Sequence, residues 1–252
     1  MPDTFAKTRP IATDAYPAEA AGLTWLAAAG PEAARIVEVL DVSPDRLVLP
    51  RLIPVPPTRR AAATFGAALA VTHAAGATAY GAPPDGWSGD GYIGTQPLSL
   101  LPTEHWGQFF ADQRLLPYAE AAAAFGNLSP RGRALVDSVG ERLRSGAFDD
   151  DRPPARIHGD LWAGNVIFTA TGVVLIDPAA HGGHGLTDLA MLHLFGAPEL
   201  ATVTAAYAEA ADLPADWDEL IGLHQLHPLL VHAVTHGASY GAEAEAVAAR
   251  YA

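Results

Sequence analysis

The spacing of apolar and polar positions predicts a small mixed front part followed by a larger, mostly helical body. Three short strands are predicted in the front part, at residues 4–8, 34–40 and 45–53. A helix over residues 18–30 lies between the first two, and the segment DVSPD, residues 41–45, is predicted to be the turn between the last two. Four closely spaced prolines then form a stiff linker, so residues 1–53 are expected to be a small α+β lobe.

Residues 54–252 are predicted to form the helical lobe. Helices are expected at residues 58–75, 104–125, 129–145, 186–196, 198–211 and 216–240, the second of them bent near Pro117. A Gly- and Pro-rich segment, residues 76–103, separates the first two helices. Its aromatic residues favour an ordered, functional loop, because long loops in compact domains are usually functional or disordered.

The composition narrows the classes of function. Half of the 252 residues are hydrophobic and 17% are charged, which is typical of a folded protein. A net charge of −13 argues against nucleic-acid binding, which needs clustered Lys and Arg, and against anionic membranes. A phosphate-bearing ligand would therefore need a local cation. The chain has no Cys, no signal-like start and no long apolar run, so a cytoplasmic location without membrane segments is expected.

Acid and amide side chains gather around one predicted hairpin. The segment NVIFTATGVVLID, residues 165–177, reads as two strands joined at ATG, which sets Asn165 and Asp177 side by side at its open end. An amide oxygen and a carboxylate there would suit Mg²⁺. Asp160 lies five residues before Asn165 and is free to face a substrate. An acid that accepts a hydroxyl proton, with an Asn and an Asp on a metal, is the pattern of phosphoryl transfer in protein kinases.

Residues 158–196, which begin HGDLWAGNVIF, resemble the catalytic segment of the fructosamine kinase (ketosamine kinase) family. This family is part of the aminoglycoside-phosphotransferase and protein-kinase-like superfamily. The resemblance continues through residues 65–95 and in WGQFFADQRLLPYAEAA, residues 106–122. It implies an α+β, protein-kinase-like two-lobe fold. It also implies an enzyme that uses ATP and Mg²⁺ to phosphorylate a hydroxyl of a small sugar-amine.

The resemblance assigns roles to individual residues. Asp160 matches the catalytic acid-base residue, and Asn165 and Asp177 match the residues that hold Mg²⁺ and, through it, the nucleotide phosphates. Lys7 matches the strand lysine that contacts the phosphates, and Glu19 matches the helix acid that pairs with it.

Nucleotide-base and substrate contacts are implied more loosely. The hinge beside adenine matches residues 49–52, and since Pro50 has no amide donor, the base would use Leu49, Arg51 or Leu52. The substrate would be bound by Trp162 beside the reacting centre and by Asp85, Trp87 and Tyr92 of the 85–94 loop. His181 and His184, next to a pair of glycines, are further candidates for substrate binding. The two histidines are equally compatible with a surface position.

The front of the chain departs from the family pattern. The phosphate lysine is already residue 7, with no Gly-rich hairpin before it. Either the chain as given starts late or the protein lacks this lid, and an abbreviated N-lobe is expected. The strand at residues 4–8 would then leave an open sheet edge, through which a homodimer could form.

Two other functions stay open at this stage. One is a non-catalytic kinase-like binding protein that lost its nucleotide lid. The other is a metal-dependent hydrolase built on Asp160, Asp177, His181 and His184. Asp188 is interpreted as structural, either as a helix cap or as a buried partner of the catalytic loop.

Overall fold

The computed structural model describes residues 3–252, which form ten short strands and nine α-helices. The strands are β1 (Thr4–Lys7), β2 (Arg35–Ile36), β3 (Asp41–Ser43), β4 (Arg46–Pro50), β5 (Gly91–Ile93), β6 (Gln96–Leu98), β7 (Ala155–Ile157), β8 (Val166–Thr169), β9 (Gly172–Leu175) and β10 (His181–Gly183). The helices are α1 (Ala15–Ala27), α2 (Arg59–Ala74), α3 (Trp106–Phe109), α4 (Leu116–Ala124), α5 (Pro130–Arg144), α6 (Gly185–Phe195), α7 (Leu200–Ala210), α8 (Ile221–His236) and α9 (Ala238–Ala248). Within residues 3–252, no helix is long and apolar enough to cross a lipid bilayer.

The front sheet is antiparallel, in the order β1-β4-β3, with β1 at its edge. Helix α1 packs against it through an apolar cluster that includes Leu23, Leu47 and Leu49. The expected turn over residues 41–45 was wrong, because β3 occupies residues 41–43 and the chain reverses at Pro44 and Asp45 instead. Pro44 supplies the fixed φ that the second position of such a turn favours.

Strand β2 connects this front part to the hairpin that carries the predicted site. Of the expected strand 34–40, Arg35 and Ile36 form the strand, and they pair in parallel with Val174 and Leu175 of β9. The amide of Val37 extends the pairing by donating to the carbonyl of Leu175 at 3.0 Å. This pairing joins a strand before residue 53 to a strand after it. The boundary between the two lobes at residue 53 stays a prediction.

The body packs around two apolar clusters. One lies between α2, α6, α7 and the β8–β9 hairpin, and the other between α3, α4, α5, α8 and α9. Helices α2 and α7 approach closely at Gly66, where any Cβ would strike the backbone carbonyl of Val203. The first cluster includes Val166, Phe168 and Leu175, so the predicted catalytic hairpin packs directly on these helices.

Two of the predicted helices are interrupted. Instead of one bent helix over residues 104–125, a π-helical segment, Phe110–Leu115, separates α3 from α4. Pro117 is the second residue of α4, and because it has no N–H to continue the α-helical pattern, it favours the wider turn ahead of it. The helix expected over residues 216–240 ends at His236, since Gly237 adopts φ 111° and α9 starts in a new direction.

The hairpin at the predicted site forms as expected. Strands β8 and β9 pair in register from Val166 opposite Leu175 to Thr169 opposite Gly172. Strand β10 was not predicted, and it pairs antiparallel with β7 ahead of the catalytic loop. Its sequence, HGG, carries no strand signal, but glycine is needed there because a Cβ at Gly182 would strike the carbonyl of Ala79.

Candidate active site

Asp160 lies on the loop between β7 and the short 3₁₀ turn Ala163–Asn165. The loop turns sharply at Gly159, which has φ 80° and packs so closely on the carbonyl of Ala179 that no side chain fits. This turn directs Asp160 toward the open end of the β8–β9 hairpin.

Asn165 and Asp177 meet Asp160 at that open end. The Asn165 Nδ2 group donates to the carbonyl oxygens of Asp160 at 2.8 Å and Asp177 at 3.3 Å, and lies 3.4 Å from Asp160 Oδ2. Asp177 adopts φ 54°, a left-handed conformation that Asp tolerates better than most residues. The three residues that the sequence singled out are thus brought together by one hydrogen-bonded loop.

Lys7 reaches the same place from the front sheet. Its Nζ lies 2.7 Å from Glu19 Oε2 and 3.3 Å from Asp177 Oδ1. Burial alone would lower the pKa of Lys7, but the two carboxylates outweigh it and raise the pKa, so the ammonium stays charged. Glu19 comes from α1, so this ion pair ties the helix to the strand and aims the lysine at Asp177.

Asp160 is the most perturbed acid at this site. Burial, followed by the neighbouring charges of Asp177 and Asp188, raises the pKa of Asp160 to about 6. A carboxylate with a pKa near 6 is largely ionised at neutral pH yet basic enough to accept a proton, which is what a general base requires.

The same shift predicts a stability change for Asp160→Asn in the absence of ligands. Folding raises the pKa of Asp160 above its ordinary value, so the folded protein is most stable when this carboxyl is protonated. The free energy of unfolding therefore decreases as pH rises from about 4 through about 6. At pH 8 we expect the variant to be more stable than wild type by about 2–3 kcal/mol, with the difference vanishing below pH 4. Urea unfolding with a chelator present measures this, and the exposed Asp216→Asn is the control. Equal stability of wild type and variant at pH 8 would contradict the expectation.

Asp188, in the first turns of α6, holds the catalytic loop from beneath. Its side chain is completely buried and accepts hydrogen bonds from the backbone amides of His158 at 2.8 Å and Gly159 at 2.9 Å. Of the two structural roles considered, the buried partner is therefore the one observed. The helix cap is His184, whose Nδ1 accepts from the amide of Leu186 at 3.2 Å.

An open cleft of about 280 Å³ lies in front of these groups. Of the residues singled out from the sequence, it is lined by Lys7, Glu19, Trp87, Tyr92, Asp160 and Asp177. The structure adds wall residues that the sequence did not reveal: Arg9, Tyr16, Pro84, Leu98, Leu100 and Ala180. Arg9 follows Lys7 at strand spacing, which is the one signal that could have found it.

One wall of the cleft is the β5–β6 hairpin within the Gly- and Pro-rich segment. The Tyr92 hydroxyl donates to Asp14 Oδ1 at 2.6 Å, which joins this hairpin to the start of α1. The Trp87 indole donates to the carbonyl of Asp90 at 3.1 Å and packs on the core. Asp85 is exposed beside this wall and outside the cleft lining. Trp162 is 44% exposed next to Asp160, with its ring lying over Gly164.

The two predicted substrate histidines lie behind the cleft. The His181 Nδ1 group donates to the carbonyl of Ala179 at 2.7 Å, and burial lowers the pKa of His181 to about 3. His184 Nε2 contacts Asp150 Oδ2 at 3.1 Å. Both rings are buried and neither lines the cleft. The geometry therefore does not bring them to the acids that a metal-dependent hydrolase would need.

The predicted hinge residues also lie outside this lining. Leu49 is buried in the cluster under the front sheet, and Leu52 packs at its margin. The Arg51 guanidinium pairs with Asp3 at 3.0 Å. Contact of these residues with a nucleotide base stays a prediction.

The acid and amide at the hairpin fit a hard divalent cation. The Asn165 amide nitrogen is committed to two carbonyls, so its Oδ1 is the atom left for a cation, and the carboxylate of Asp177 is 42% exposed beside it. Among residues 3–252, no group of three or more His, Cys, Asp or Glu is arranged to enclose a metal. Mg²⁺ suits such an open set, because it is commonly held by one or two protein ligands together with substrate phosphates and water.

Comparison with known proteins places the chain. A model of the fructosamine kinase family matches residues 3–251. The chain belongs to this family. A "probable ketoamine kinase" of Synechocystis sp. is 35% identical over 183 residues, which cover 72% of this chain and 59% of that protein. One of Thermus thermophilus is 33% identical over 232 residues, covering 89% of this chain and 78% of that protein.

Solved structures show the fold. The crystal structure of a candidate fructosamine-3-kinase from Thermobifida fusca superposes with a TM-score of 0.88 at 44% identity, covering 98% of this chain and 85% of that one. A macrolide 2′-phosphotransferase from Brachybacterium faecium superposes with a TM-score of 0.56 at 17% identity, covering 98% and 84%. The fold is therefore protein-kinase-like, as expected. The matches span between 54% and 59% of the first three curated relatives of the family.

Proposed function

We propose that this protein is an ATP-dependent kinase that phosphorylates a hydroxyl of a small sugar-amine of the ketosamine type. The observation that supports this most directly is the meeting of Lys7, Asp160 and Asp177 at one cleft, with Asn165 bonded to both acids' backbone. Membership of the fructosamine kinase family supports the choice of acceptor.

The residues divide the work of the transfer. Asp160 orients the acceptor hydroxyl and takes its proton as the oxygen forms a bond to the γ-phosphorus of ATP. The bond between that phosphorus and the bridging oxygen breaks, and ADP leaves. Lys7 steadies the α- and β-phosphates, and Glu19 holds Lys7 in place. Mg²⁺, when bound at Asn165 Oδ1 and Asp177, offsets phosphate charge.

The wall of the cleft supports a small polar acceptor with an apolar face. Trp87 and Tyr92 contribute aromatic surface to the cleft, and Asp160 is one of the acids that line it. Aromatic faces commonly pack against the apolar face of a sugar ring while its hydroxyls reach polar groups. Trp162, exposed beside Asp160, completes this surface in the proposal.

The alternatives have less support. A metal-dependent hydrolase would use His181 and His184, which are buried behind the cleft. A non-catalytic binding protein has no need for an acid whose pKa is raised to about 6 beside a lysine and a second carboxylate. Homodimerisation through the β1 edge stays a prediction, which light scattering can check.

The test is an acceptor screen. ATP binding is first measured by calorimetry with and without Mg²⁺. ADP release is then followed with fructosyl-lysine, ribulosyl-lysine and an aminoglycoside as acceptors. We expect Mg²⁺-dependent binding and release stimulated by a ketosamine. Binding without stimulation by any of the three would refute the acceptor class, and no binding at all would favour the non-catalytic alternative.

A further inference from the structure

A chain of buried polar groups continues from the catalytic loop into the helical body. Asp188 Oδ2, which accepts the amide of His158, also lies 3.0 Å from His73 Nε2 on α2. The other ring nitrogen of His73 lies 2.7 Å from the hydroxyl of Tyr207 on α7. His73, Asp188 and Tyr207 are all at most 5% exposed. Neither the general base nor the cation site uses His73 or Tyr207.

The direction of each hydrogen bond follows from its partners. Asp188 accepts hydrogen bonds from two amides, and its carboxylate is an acceptor toward His73, so Nε2 of His73 carries the proton. Nδ1, the other ring nitrogen, faces the Tyr207 hydroxyl, which keeps its proton because burial raises its pKa. Burial alone would raise the pKa of Asp188, but His73 and the amides outweigh it and hold the pKa low.

We propose that Tyr207 and His73 are positioning residues for the transfer reaction: they orient Asp188, which fixes the backbone of the loop that carries Asp160. This inference rests on the proposed function. Asp188 holds the amides of two consecutive residues immediately before Asp160. A rotation of its carboxylate would therefore move the base relative to the acceptor, and small displacements of that kind slow catalysis severely.

Close packing against Gly185 constrains the positions of His73 and Tyr207. A Cβ at Gly185, the first residue of α6, would lie 2.5 Å from the Tyr207 hydroxyl and 2.8 Å from His73 Nδ1. Glycine is therefore required at that position by the network itself, since its φ is not in the left-handed region. Gly185→Ala offers a second way to disturb the same two atoms without touching either residue.

The test compares Tyr207→Phe with Tyr251→Phe. Each removes one buried hydroxyl and keeps the ring, and the Tyr251 hydroxyl donates to the carbonyl of Glu219 at 2.7 Å, far from the catalytic loop. For Tyr207→Phe we expect kcat to fall about tenfold, with the ATP dissociation constant within twofold of wild type. We also expect faster hydrogen exchange of the amides of residues 157–160. Tyr251→Phe should leave both readouts unchanged.

Several outcomes would overturn the proposal. Unchanged loop exchange in both Tyr207→Phe and Gly185→Ala would show that the network does not hold the loop. Faster exchange with unchanged kcat would show that it holds the loop without serving the reaction. If the wild-type protein phosphorylates none of the acceptors, the proposed function fails and the positioning role with it. The exchange measurement, which needs no turnover, distinguishes that failure from a failure of the network.

Discussion

The Asp160→Asn variant is expected to lose turnover by a factor of about 10²–10⁴ while it still binds ATP, because this is the usual contribution of a positioned general base. The amide keeps the size of the side chain but cannot accept the hydroxyl proton. Asp160 lies beside the groups expected to hold the phosphates without being one of them, so nucleotide affinity should stay within about threefold.

Steady-state kinetics with the best acceptor, together with ATP calorimetry, tests this expectation. The exposed Asp216→Asn is the control for a general effect of removing one negative charge. The pH dependence gives an independent check. Since the pKa of Asp160 is raised to about 6, wild-type kcat/KM should fall about tenfold per pH unit well below that value. The residual kcat/KM of the variant should not show this decrease at low pH. Turnover within tenfold of wild type would assign the base to another group.

The catalytic hairpin could be predicted from the sequence because its signals are local. Short apolar runs on both sides of ATG specify β8 and β9, and Asn165 and Asp177 lie at their ends. The hairpin alone predicted that Asn165 and Asp177 lie side by side, whereas Asp160 was placed on the loop before it, free to face a substrate. The pairing of Lys7 with Glu19 is different, since a lysine and a glutamate twelve residues apart carry no such signal, and only family resemblance suggested it.

The remaining features depend on distant parts of the chain. Strand β10 forms because it pairs with β7 and because its glycines allow the close approach of Ala79. Neither contact can be predicted from the sequence HGG alone. His181, beside a pair of glycines, was expected at the substrate or at the surface, yet its ring is buried in the body. The network of His73 and Tyr207 joins residues 134 positions apart, and no spacing rule links them.

Asp177→Asn is expected to weaken Mg²⁺-dependent ATP binding by about 10- to 100-fold, the cost typical of disturbing a metal ligand or its support. Asparagine is the better replacement than alanine, because residue 177 adopts φ 54°, which Asn accepts with less strain. The substitution keeps an oxygen at the site and removes its charge. It also takes from Lys7 one of its two carboxylate partners, at 3.3 Å.

Calorimetry with ATP, with and without Mg²⁺, separates these effects. Asp137→Asn is the matched control, because Asp137 is 45% exposed against 42% for Asp177 and pairs with Arg133 at 2.9 Å, away from the cleft. Weaker binding only in the presence of Mg²⁺ would place the cation at Asp177, whereas equal weakening without Mg²⁺ would trace the loss to Lys7. Unchanged affinity under both conditions would remove Asp177 from the nucleotide site.

The loss of the Asp177 charge in this variant should also lower the pKa of Asp160. The decrease of kcat/KM at low pH should therefore shift to lower pH.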